Sequence, residues 1–195
     1  MIVPLGLECS IAHYLRANHL REAALPFDWN VTPFTSVMRL LDSRFADFLR
    51  EEHLVYLPPV QRLLFTEDGT SLVTANEAIT PVVCRKHGML LPHDFSAQGR
   101  LDYPRVKQTY DARCERLLDL LIADRPVTFV YHIAPLNDWQ VRQYEAAGVP
   151  LPVPQAVDCA GLAAIVRRIN PRLPFSILSL DELKGAEPPG GSRSR

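Results

Sequence analysis

The sequence predicts one α/β domain, and three observations predict it. From residue 103 onward, helical periods alternate with short apolar runs, the pattern of a parallel sheet covered by helices. A length of 195 residues suits one unit that buries roughly 70% of its unfolded surface. Hydrophobic residues make up 47% and charged residues 22%, an ordinary globular composition. The expected fold is therefore alternating helices and strands around a mostly parallel sheet, with a β-hairpin inserted between the halves.

The elements follow in order. Residues 2–6 are a buried strand that ends in a glycine turn. Ser10 to Leu20 is a helix with Ile11, Ala12 and Leu15 inward. After the loop Leu25-Pro26-Phe27-Asp28-Trp29, the pair Thr32-Pro33 opens a second helix. Val37, Leu41, Phe45 and Phe48 carry that helix to about Glu52. Residues 62–66 and 71–74 flank the turn-forming Glu67-Asp68-Gly69-Thr70, so a hairpin is predicted. Residues 81–84 and 89–92 are further extended pieces. Then come a long helix with Val106, Tyr110, Cys114, Leu117 and Leu121 in one stripe, a strand over 127–131, and a helix over 138–147. A helix capped by Asp158, with Leu162, Ile165 and Val166 inward, and a strand over 175–178 complete the domain. Residues 1–184 thus form the domain, and 185–195 (Gly, Pro, Ser and Arg rich) are expected to be a disordered tail.

Composition excludes several function classes. A formal net charge of −1 gives no basic field for nucleic acid or an anionic membrane. No run approaches the ~20 apolar residues of a membrane span, and the apolar start lacks a basic leader and is interrupted by Glu8. Cysteines at 9, 84, 114 and 159, with no Cys-x-x-Cys pair, point to reduced thiols and a cytoplasmic protein. No cofactor is implied, since neither a P-loop nor a dinucleotide fingerprint is present. No metal is implied either, because Cys9, His13 and His19 lack paired ligand spacing.

Among the thiols, Cys84 alternates with Val82, Cys114 sits on the inward stripe of its helix, and Cys159 shares a face with Leu162 and Val166. Packing explains all three. Cys9 differs: it follows a strand and a glycine turn and stands where a helix begins. There the helix dipole favours a thiolate and backbone N–H groups can stabilise an oxyanion. Glu8 opposes the thiolate. A thiol nucleophile needs a base. His93 stands just beyond an apolar strand-like run, His13 lies four residues from Cys9 on the same helix, and His132 ends a strand; His19, His53 and His87 read as surface or loop residues.

Three motifs, Gly6-Leu7-Glu8-Cys9, Pro26-Phe27-Asp28-Trp29 and His93-Asp94-Phe95, occur in that order. With the strand and helix that surround them, residues 2–135 resemble a bacterial family of unknown function described as papain-like cysteine peptidases. The resemblance implies Cys9 as nucleophile and His93 as base, acting on a peptide or another acyl compound, and an α+β papain-like fold as the alternative architecture. It leaves the third, orienting residue open. Asp28 belongs to the matched motif, while Asn137 and Asp138 follow the next strand and preserve the order Cys, His, Asn/Asp. Asp94, adjacent to His93, is expected to point to the opposite face. A cysteine-nucleophile hydrolase or acyl transferase is the first functional expectation. A non-catalytic α/β binding or scaffold module, with Phe27, Asp28 and Trp29 closing the core, is the second.

Overall fold

The apolar opening run forms β1 (Ile2–Pro4), which pairs in parallel with β6 (Val127–Tyr131), Val3 opposite Phe129. In the computed structural model, which describes residues 1–6, 9–65, 72–153 and 156–186, β6 also pairs in parallel with β7 (Phe175–Ser179). Among the described residues the strands make two sheets: a parallel one in the order β1-β6-β7, and an antiparallel one. The predicted hairpin is β3 (Val60–Phe65) against β4 (Leu72–Cys84), and its turn, 67–70, lies outside the described residues. β2 (Leu54–Tyr56) and β5 (Met89–Ser96) also pair with β4, so the insertion is a four-stranded antiparallel sheet.

Helices cover both faces of the parallel sheet, as alternation along β6 requires. Val127 and Phe129 join the main core with Val106, Tyr110 and Leu117 of α3 (Tyr103–Ile122) and Leu162 and Val166 of α5 (Cys159–Ile169). Val130 points the other way, to Ile11 and Leu15 of α1 (Ser10–Ala17) and Leu180 of α6 (Leu180–Gly185). α4 (Asp138–Ala147) begins where the sequence places it. Asn137 caps it reciprocally with Gln140, and Gly148 closes it at φ 62°.

Two helices are shorter than expected. α1 stops at Ala17 because His19 turns left-handed, at φ 55°. α2 (Phe34–Asp42) ends ten residues before Glu52, with Arg44, Phe45, Asp47 and Leu49 all at positive φ. Phe45 and Phe48 are buried all the same, Phe45 lying 5.8 Å from the Phe27 ring and Phe48 5.8 Å from the Tyr110 ring. Apolar spacing reports which side chains are wanted inside; it does not fix the backbone, and a run of tight turns buries the same residues. Pro33, not Thr32, is the cap residue of α2, and the Thr32 hydroxyl instead donates to Asn30 Oδ1 at 2.7 Å. The tail from residue 187 lies outside the described residues, and Gly185 closes α6.

Candidate active site

In a parallel sheet, ligands gather beyond the carboxyl ends of the strands. Three parts of the chain stand at that edge here: Cys9 after β1, the loop from β6 to Asn137, and the junction of β7 with α6. All three line a single cavity of about 790 Å³, and β5 of the antiparallel sheet adds Pro92 and His93 from across it. Cys9, His93, Asn137 and Asp138 thus share one cavity, although they lie far apart in sequence.

The turn that sets Cys9 is tightly specified. Gly6 sits at φ +75°, where a Cβ would come within 3.0 Å of the Thr32 Cβ, so only glycine fits both the conformation and the neighbour. Cys9 is the cap residue of α1, and its carbonyl accepts the His13 N–H at 2.9 Å. The thiol therefore stands at the positive end of the helix dipole. All four cysteines are thiols; Cys84 and Cys114 are buried, which pushes their pKa values up. Cys159 departs from expectation. Leu162 and Val166 are buried, but Cys159 is the first residue of α5 and partly exposed, so a second thiol stands at a helix start.

His93 and Asp94 point to opposite faces of β5, as a strand demands. His93 faces the cavity, while the Asp94 carboxylate accepts from the Tyr110 hydroxyl at 3.0 Å and lies 3.9 Å from Arg113. Burial, assisted by the Arg62 charge, pushes His93 down to about 4. The imidazole is therefore neutral near pH 7 and has a lone pair with which to take a proton. Among the described residues its buried Nδ1 has no hydrogen-bond partner.

Asp28 does not line the cavity. It is buried, and its Oδ2 accepts from Arg21 at 2.6 and 3.1 Å and from the Leu25 N–H at 3.0 Å, which ties the loop together. Asn30 continues the tie, donating to the Pro26 carbonyl at 2.8 Å and to Tyr110 at 3.4 Å. Trp29 reverses the expectation for this motif. Phe27 closes the core, whereas Trp29 is half-buried and forms part of the cavity wall. His87, expected at the surface or in a loop, lies in the turn between β4 and β5 but is buried, with its ring 6.1 Å from Phe48. Sequence reading also missed Tyr14, Trp139, Leu180 and Lys184 on the wall. The recurrence of polar and aromatic residues at 10, 14 and 18 on α1 was the available signal for the first of these.

Residues 1–144 match the family described as "Putative papain-like cysteine peptidase (DUF1796)". The chain belongs to that family. No curated protein and no solved structure matches the chain. Membership supports the general reading of a cysteine hydrolase, and the matched segment contains Cys9, His93, Asn137 and Asp138. Among the described residues no helix is long and apolar enough to cross a membrane.

The two buried histidines make a prediction for stability. His93 and His87 are both pushed down to about 4 by burial, from 6.5 in the unfolded chain. Between pH 6.5 and about 4 the unfolded chain binds more protons than the folded one, so stability falls as pH drops through that window. Asp94, raised by burial, contributes with the opposite sign. Urea midpoints at pH 7 and pH 5 should therefore be compared between proteins: His93→Gln and His87→Gln should each lose less on acidification than the unaltered chain. An identical loss in all three would show that neither imidazole is held neutral.

Proposed function

We propose that the protein is a thiol hydrolase of acyl compounds, with Cys9 as nucleophile and His93 as general base. The observation that carries this is the shared cavity, which brings the thiol at a helix start to a neutral imidazole on a rigid strand. Cys9 Sγ gives its proton to His93 and bonds to the substrate carbonyl carbon. The oxyanion that forms is stabilised at the N-terminus of α1. When the intermediate collapses, the bond to the leaving group breaks and His93 returns the proton to it, leaving a thioester on Cys9. Water resolves the thioester in a hydrolase; a second nucleophile does so in an acyl transferase.

Asn137 is the better candidate for the third position. It lines the cavity, which Asp28 does not, and it preserves the chain order Cys, His, Asn. Its Oδ1 accepts the Gln140 N–H at 2.9 Å, and a second lone pair remains to take an imidazole N–H. The unpartnered Nδ1 of His93 favours the second reading, a non-catalytic binding module, because a catalytic base is ordinarily oriented by a third group.

Limited alkylation separates the two readings, and Cys159 is the fair control, since it too is partly exposed at a helix start. With limiting iodoacetamide and peptide mapping, Cys9 should label faster than Cys159, and Cys84 and Cys114 should label last. Equal rates at Cys9 and Cys159 would leave Cys9 an ordinary thiol and favour the binding module.

A further inference from the structure

The cavity follows α1. Cys9, His13 and Ala17 recur along it every four residues, and Ser10, Tyr14 and Asn18 do so one position on. At about 1.5 Å per residue, Tyr14 stands roughly 7 Å further along the helix axis than Cys9. There α6 joins the wall, with the Lys184 Nζ over the Tyr14 ring, 5.8 Å from its centre. Its ion pair with Asp181 is long, 4.0 Å, and the Asp181 side chain is 82% exposed, so it holds the ammonium only weakly. Asp138 contributes a carboxylate from α4. The cavity therefore carries a negative group on one wall and a positive one on another, and an anion entering it is directed towards α6.

We propose that Lys184 forms a subsite for a carboxylate on the substrate, further along α1 from the carbonyl that Cys9 attacks. The inference rests on the thiol-hydrolase reading and adds a substrate class to it: acyl compounds that carry an acidic group beyond the reacting carbonyl. Trp29, Trp139 and Pro92 also line the groove and suit an apolar portion. α6 lies beyond the segment that matches the family, so the preference belongs to the C-terminal part of this chain.

Two aromatic disulfides test this in a Cys159→Ser background. Each half of 5,5′-dithiobis(2-nitrobenzoate) carries a carboxylate, whereas 4,4′-dithiodipyridine is neutral near pH 7. With either reagent the Cys9 thiolate displaces one half as a thiolate and forms a mixed disulfide with the other. The anionic-to-neutral rate ratio at Cys9, read by stopped flow and peptide mapping, should fall about fivefold in Lys184→Gln and further in Lys184→Glu. Added salt should lower the ratio in the unaltered protein and leave it nearly constant in Lys184→Gln. A ratio that is the same in all three proteins would overturn the subsite. A Cys9 that reacts no faster than Cys84 or Cys114 with the neutral reagent would instead overturn the thiol reading beneath it.

Discussion

Cys9→Ala protein should form no acyl-enzyme with an activated ester such as p-nitrophenyl acetate, and His93→Ala should form it roughly 10²–10⁴ times more slowly. The first effect is absolute because the bond to sulfur is the intermediate. The second is graded: a deprotonated thiolate still attacks, but only the fraction present without a base does so. Rapid-mixing kinetics with mass detection of the acylated protein checks both. Neither change should unfold the chain. Cys9 is partly exposed at the start of a helix, and His93 is a buried imidazole whose Nδ1 makes no hydrogen bond among the described residues. Acylation that persists in Cys9→Ala would place the nucleophile elsewhere, with Cys159 the next residue to replace.

Asp28→Ala should act on stability. It would leave Arg21 without its carboxylate and the buried Leu25 N–H without an acceptor, at a cost of about 3 kcal/mol or more. Turnover per folded molecule should remain close to that of the unaltered protein, since Asp28 does not touch the cavity. Urea denaturation alongside ester turnover separates the two quantities. Unchanged stability with a hundredfold loss of turnover would restore Asp28 to the catalytic set and displace Asn137 from it.

Much of the architecture was legible because it is local. The stripe through Val106, Tyr110, Cys114, Leu117 and Leu121 gave α3, and the helix expected over 138–147 is α4. α6 was overlooked although its signature was present: Ser179 and Glu182 are the S-x-x-E of a capping box, and both reciprocal bonds form. The end of α2 was misplaced because Phe45 and Phe48 keep helical spacing without a helical backbone. At the site, a helix start singled out Cys9 and an apolar run singled out His93, each from its own neighbourhood, although the strand expected to end at residue 92 continues through His93 to Ser96. The wall was not legible, because Trp29, Trp139 and Lys184 meet only through the pairing of distant strands. The two tryptophans look alike in composition. Only the fold shows that the buried anchor of the Pro26-Phe27-Asp28-Trp29 turn is Phe27 and that Trp29 is left facing the groove.

The pairing of β1 with β6 has a consequence for the order of synthesis. Ile2 and Thr128 stand side by side in the finished sheet, and β7, the next strand across, is made later still. A growing chain emerges amino end first, so Cys9 is exposed to the cell well before any of its sheet neighbours exist. The imidazole of β5 and the α6 wall come together beside the thiol only once long-range pairing has closed, a slow kind of contact. On the proposed reading, Cys9 on the ribosome is thus one ordinary cysteine among others, and a stalled or prematurely released chain carries that thiol without the means to use it.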